Sequence, residues 1–449
     1  MIWCIAVTLL LGSAFREIGW SYVDTANNLS AAADSRSWHE LASDALTKSV
    51  EYRPLLDLGT RSAYRVLGLN IDAYQAIVFV EFGVLLIMLV VLFRPSGWRR
   101  VAAAILALSV AVGLHTSRIL FLFVPLNAYL TSLLLVLVAM FVVITPKPRI
   151  VEWVLLPLTM IALFWLELGV LIVPLAIGAW LASAPDTTWR SVVASAAGLA
   201  IYLVARLGFG PSMGPDVPDT GLGFSMLSAA DRVAMFGERP WLLWLYNVGA
   251  TLMTVVASEP RAGTFRFVAA LRADAVPAWM WLHVVSSLLT TLVVCLAVPG
   301  IRARATRDRL IAVFGGVLLI GGSVLGFLYT RDRIGLAAGI GYAMLVYVAV
   351  TALLERPVSR WMSITATALV VMLGVGWSLR VGEMYVALRE TAWDFQHEWT
   401  RDEAQAPADT IVGRMRAATL RQRPADPQHD PLWTYVLFER RFTREKETP

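Results

Sequence analysis

With 57% hydrophobic and 16% charged residues over 449 positions, and a formal charge of +5, the chain has more apolar surface than a soluble core of that size buries. Its mean hydropathy is +0.64. This composition describes an integral membrane protein and argues against a nucleic-acid partner, because the arginines are spread over short loops and form no single basic face. Cys4 and Cys295 both lie inside apolar runs, which leaves no disulfide framework and no CxxC metal site. Only Lys48, Lys147 and Lys446 are lysines among 38 basic residues, a bias that points to a GC-rich bacterial genome.

In chain order, apolar runs occupy residues 2–15, 73–93, 101–114, 119–145, 151–166, 168–183, 191–208, 241–257, 278–298, 310–329, 335–354 and 361–379. Most are of the length that carries a helix through roughly 30 Å of hydrocarbon. The first has no basic n-region and no A-x-A site, so it reads as a span, not a secretory signal peptide. The richest basic connectors are "RPSGWRR" (94–100), "PKPR" (146–149), "IRARATRDR" (301–309) and "ERPVSR" (355–360). If residues 241–257 cross the membrane, the last two fall opposite the first. If that run re-enters or lies at the interface, all four share a side, as the positive-inside preference favours. The second option gives an all-α polytopic protein of about 11 spans, N-terminus inside and C-terminus outside. Residues 1–380 then form the membrane domain, with outward loops at 16–72 and 209–277, and residues 381–449 form an outward tail.

The stretch "SVEYRPLLDLGTRSAYRVLGLN" (49–70) lies in the first of those loops. Pro54 suits the first turn of a helix. From there Asp57, Arg61 and Arg65 recur on one stripe at i, i+4 spacing, with Leu55, Leu56, Ala63 and Leu67 on the other side. Such a helix lies on a membrane surface with its cations at headgroup level. An interfacial connector that only snorkels its arginines has the same pattern. "GGVLLIGGSVLGF" (315–327), with Gly322 and Gly326, lets helices approach closely. There is no Walker A, HExxH or G-x-S-x-G motif.

Four stretches in order resemble the GT-C superfamily of membrane glycosyltransferases, particularly the polyprenyl-phosphate-sugar enzymes related to protein O-mannosyltransferases. They are "GWSYVDTANN" (19–28), "EYRPLLDLGTRSAYRVLGLNIDAYQAIVFVEFGVLLIMLV" (51–90), "LFWLELGVLIVPLAI" (163–177) and "RDRIGLAAGIGYAMLVYVA" (331–349). Departures accompany the matches: Gln75 and Phe82 stand where relatives carry histidine, Leu166 replaces a lysine before Glu167, and "HTSR" (115–118) replaces an "HP" turn. The resemblance implies transfer of a sugar from a polyprenyl-phosphate donor to an acceptor hydroxyl on the outer face, with inversion. Asp24 is then the general base, and Arg333, Arg331, Arg53, Arg118, Glu167 and His115 are candidates for the donor phosphate or the substrate. The partners it implies are a lipid-linked sugar, a glycan, lipid or protein acceptor, and membrane lipids. No cofactor is specified, although His39 and Glu40 leave a divalent metal open. Asp24 as a helix N-cap, an envelope polysaccharide polymerase or ligase, a transporter or flippase, and a non-catalytic scaffold stay as alternatives.

Overall fold

A computed structural model describes residues 2–21, 29, 37–48, 52–121, 126–146, 148–209, 220–222, 225–227, 229–237, 239–257, 267, 270–297, 300–301, 304–328, 332–356, 359–400 and 407–422. The architecture is helical. In chain order the helices are α1 (Ile2–Phe15), α2 (Trp38–Lys48), α3 (Pro54–Leu67), α4 (Ile71–Phe93), α5 (Gly97–Gly113), α6 (Ala128–Ile144), α7 (Leu155–Trp165) and α8 (Ile172–Leu181). They continue with α9 (Trp189–Phe209), α10 (Ala229–Phe236), α11 (Pro240–Val256), α12 (Ala278–Ala297), α13 (Thr306–Val324), α14 (Leu336–Glu355), α15 (Arg360–Glu398) and α16 (Ile411–Arg421). Between α9 and α10, β1 (Thr220–Leu222) and β2 (Ser225–Leu227) form a short antiparallel hairpin.

Five helices, α4, α9, α12, α14 and α15, are long and apolar enough to cross a membrane, and α5 with the 3₁₀ turn His115–Phe121 makes a sixth bent by 73°. Shorter apolar helices such as α1, α6 and α11 join them in the bundle. α14 is central and packs on α5, α12 and α13. Lipid-facing stripes are legible in the exposed side chains: Val80, Val84, Ile87 and Val91 follow helical spacing on α4, and Leu288, Leu292 and Leu296 on α12.

Local chemistry sets the helix ends. Asn70 caps α4 by accepting from Ala73 N, and Ser359 caps α15 by accepting from Met362 N. Ser37 and Glu40 form a capping box at α2, the Ser37 N–H donating to Glu40 Oε2 at 2.9 Å and Glu40 N to Ser37 Oγ at 3.3 Å. The 119–145 run is broken by Asn127, whose Oδ1 accepts from Leu130 N at 2.9 Å while its amide donates to the Ile119 and Leu120 carbonyls, each at 2.9 Å.

The basic connectors meet at one end of the bundle. The Arg100 guanidinium bridges Asp308 (3.0 Å) and Glu355 (2.8 Å), and Arg304 donates to the same Glu355 at 2.9 Å. Arg307 donates to the carbonyls of Val91 and Leu92. Arg100 of the first connector, Arg304, Arg307 and Asp308 of the third and Glu355 of the fourth therefore share an end. α11 is tied to its neighbours by side-chain bonds. Asn247 donates to the Phe327 carbonyl, and the Val256 carbonyl at the helix C-terminus accepts from Thr291, midway along α12.

Helices α13 and α14 pack backbone to backbone. A Cβ on Gly341 would stand 2.5 Å from the Gly315 carbonyl oxygen, and one on Gly322 would stand 2.6 Å from Ala338 N. Gly326, the other half of the expected GxxxG pair, lies beyond α13 and touches Thr251 of α11. Gly341→Val is expected to force α13 away from α14 and cost about 1–3 kcal/mol; the thermal midpoint in detergent measures it, with Gly374→Val, a position with open space around it, as the neutral comparison.

At the opposite end lie the first loop and the tail. α15 is continuous through the 380/381 boundary expected from composition, and at 39 residues it is about 58 Å long. Its buried positions include Arg380, Glu383, Glu390 and Thr391. α16 folds back on the loop start: Trp20 N donates to Thr419 Oγ1 at 3.1 Å, and Trp399 Nε1 donates to the Trp20 carbonyl at 2.5 Å. Arg389 adds an ion pair to Glu17 at 3.3 Å.

Candidate functional site

Of the expected site residues, Arg53, Glu167, His115 and Arg118 lie at the end of the bundle that carries α3. Arg53 ends the loop before Pro54 and turns its guanidinium onto Glu167, which opens the 3₁₀ turn Glu167–Leu171. Arg53 Nε and Nη2 reach Glu167 Oε2 at 3.0 and 2.9 Å, a side-on fork. The same carboxylate accepts from Arg206 Nη1 at 3.3 Å, and that nitrogen also donates to the Tyr202 hydroxyl at 2.6 Å. Arg53, Glu167 and Arg206 remain 24%, 34% and 25% exposed, so the cluster opens to solvent.

An aromatic wall backs this cluster. Tyr52, Phe164 and Tyr202 meet with ring centroids 5.5–6.2 Å apart. Burial pushes the Tyr52 phenol above its ordinary range. Tyr52 also holds φ 51°, a left-handed backbone that costs a bulky residue about 1–3 kcal/mol. α3 lies over the same region, with Gly59 against Trp165 and the Arg65 guanidinium 4.5 Å from the Trp38 ring of α2.

A second group forms around the bent turn. His115, Thr116 and Ser117 are buried, Ser117 donates to the Ala111 carbonyl, and Arg118 donates to Thr391 of α15. The 3₁₀ turn Asp332–Gly335 abuts this one: a Cβ on Gly335 would stand 2.7 Å from Thr116 Cγ2. Arg333 therefore sits on a turn that touches the turn bearing His115 and Arg118, its side chain lying outside the described set. Arg331 and Asp24 lie outside the described residues.

No protein-family model, curated protein or solved structure matches the chain.

The anchoring of the first loop is nonetheless explicit. Gln75, at a position where relatives of the resembled family carry histidine, donates to the carbonyls of Phe15 (3.3 Å) and Ile18 (2.7 Å). The Trp20 ring packs edge-on to Tyr74 with centroids 5.3 Å apart. Trp20 is thus tethered on both backbone groups. Glu40, one of the two residues left open for a metal, has its carboxylate engaged by Ser37. Among the described residues no group of three or more His, Cys, Asp or Glu could hold a metal ion.

A buried polar group joins α12 to α15. His283 is 3% exposed and hydrogen-bonds through Nε2 to Glu383. Beside it, fully buried Arg380 donates to Ser286 Oγ (3.0 Å) and Ser287 Oγ (2.7 Å) and stacks 3.7 Å above the Trp377 ring. Arg206, Arg380 and Glu383 were not singled out from sequence. The signal for Arg380 and Glu383 was charge recurring at helical spacing just beyond the 361–379 run, with no breaker before it, and the signal for Arg206 was a lone charge inside the 191–208 run.

Proposed function

We propose that the chain is a membrane glycosyltransferase of GT-C type. It takes a sugar from a polyprenyl-phosphate donor and transfers it to an acceptor hydroxyl on a glycan, lipid or protein. The observation that carries the reading is the convergence, at one end of the bundle, of the anchored loop start, the Arg53–Glu167–Arg206 cluster and the paired turns His115–Phe121 and Asp332–Gly335. Transfer at a lipid surface needs this combination. Cations stabilise the departing phosphate, where an arginine fork fits the oxygens and stays charged beside lipid. A carboxylate removes the acceptor proton, the role of Asp24 in this reading.

The topology that goes with the proposal has about 11 spans, α11 re-entrant, in a bacterial inner membrane. The N-terminus faces the cytoplasm, and the first loop and the tail face the periplasm. Reporter fusions after residues 45 and 305 are expected to report periplasm and cytoplasm respectively; finding both on one side contradicts the topology. The function itself is tested by incubating purified protein with labelled polyprenyl-phosphate sugars and a membrane extract as acceptor source. Label is expected to move to an acceptor; no movement from any donor contradicts the reading.

A further inference from the structure

The Arg53–Glu167–Arg206 cluster holds two guanidinium groups on one carboxylate, so it carries one excess positive charge. Arg53 spends its Nε–Nη2 edge on Glu167. Among the described residues Arg206 donates only through Nη1, to Glu167 and to Tyr202, which leaves its Nε–Nη2 edge unengaged on a side chain that is 25% exposed. Two parallel N–H groups on one rigid edge match two oxygens of a phosphate.

That edge is held in place before any ligand arrives. Tyr202 is 3% exposed and wedged between Tyr52 and Phe164, and Glu167 is fixed in turn by the fork of Arg53. The left-handed backbone at Tyr52 is part of the same wall. Pre-organisation of this kind lowers the cost of binding.

Position gives the class of ligand. α9 rises about 30 Å from its start near the basic end, where Thr188 N donates to buried Glu152, so Arg206 stands within a turn of the opposite end. That is headgroup depth for a helix crossing the membrane. The flank of α9 next to Arg206 is apolar and open: Leu203 is 45% exposed, Val204 72% and Leu207 86%. A cationic edge bordered by exposed aliphatic side chains fits an amphiphile.

We infer that Arg206 is the direct contact for the phosphate of a phosphate-headed lipid whose chain lies along the Leu203–Leu207 flank, with Tyr202, Glu167 and Arg53 as positioning residues. Arg53 thus acts through Glu167. Only the naming of that lipid as the sugar donor or its polyprenyl-phosphate product rests on the transferase reading; the phosphate chemistry is shared with ordinary anionic phospholipids.

The test is a native mass-spectrometry titration of the full chain in detergent with three probes: polyprenyl monophosphate, phosphatidylglycerol and inorganic phosphate. Arg206→Gln is expected to weaken retention of the lipid about tenfold or more. Arg206→Lys, which keeps the charge without the planar edge, is expected to fall in between. Tyr202→Phe, which keeps the ring packing and releases one anchor of Nη1, is expected to weaken retention about threefold. Elution volume and thermal midpoint of each variant establish folding. Equal retention by wild type and a folded Arg206→Gln overturns the inference, and so does inorganic phosphate binding as tightly as either lipid. Arg206 dependence with polyprenyl monophosphate alone makes this a substrate site, and equal dependence with phosphatidylglycerol makes it a site for bulk lipid; both outcomes support it. If no sugar is transferred but Arg206 still governs lipid retention, the transferase reading falls and this site stands. Asp24-dependent transfer with retention indifferent to Arg206 overturns this site alone.

Discussion

Arg100→Ala is expected to destabilise the protein by about 3 kcal/mol, because it strips the partner from a carboxylate that has almost no access to water. Asp308 is 2% exposed, and both of its oxygens accept from Arg100, at 3.2 and 3.0 Å. Glu355 keeps Arg304 when Arg100 is lost, so most of the penalty falls on Asp308. Two comparisons isolate the cause. Asp308→Asn added to Arg100→Ala is expected to recover a large part of the loss, since a neutral amide costs less to bury than an unpaired charge. Arg99→Ala, one residue away at an exposed position, is expected to stay within about 0.5 kcal/mol. Thermal or denaturant midpoints in one detergent measure all three. A loss for Arg99→Ala as large as for Arg100→Ala would mean the charge of this end matters in bulk and the specific bridge does not.

The bridge also bears on how much of this protein was legible in its sequence. Within the described residues each apolar run holds a helix or a helix with a 3₁₀ turn, because hydrophobic length is a local property that a membrane span has to display. The amphipathic reading of residues 54–67 corresponds to α3, where Pro54 occupies the first turn. The common side of the basic connectors could be argued from the positive-inside preference, and the bonds of Arg100 then bring three of them to one end. Pairings across long separations were not legible. Arg53 and Glu167 are 114 residues apart, and nothing local to either says that one carboxylate will take two arginines. The pairing of His283 with Glu383, 100 residues on, likewise appears only once α12 packs on α15. The segment after residue 380, expected as an outward tail, has a local sequence that does not tell a buried face from a solvated one. Its buried face appears only once α15 meets α1 and the bent turn at His115–Phe121.

Asp24→Asn is expected to lower sugar transfer about 10²- to 10⁴-fold with little change in expression or thermal midpoint. An amide has nearly the same shape as the carboxylate and cannot take a proton from the acceptor hydroxyl. A stability change would instead mark Asp24 as a helix cap, whose loss typically costs about 1 kcal/mol. The loop start supplies a control. Thr419→Val removes the oxygen that accepts from Trp20 N while keeping side-chain size, and it acts on where the loop sits, not on the proton. It is expected to reduce transfer less than Asp24→Asn, and Thr419→Ser is expected to restore it.

The most direct test of the transferase account is a single-turnover reaction of the purified chain with a polyprenyl-phosphate sugar of defined anomeric configuration, analysed for the released lipid phosphate and for the anomer of the product. The account predicts one polyprenyl phosphate released per sugar transferred, an inverted anomeric centre, and loss of both signals in Asp24→Asn. A product with retained configuration, or transfer unaffected by Asp24→Asn, contradicts it.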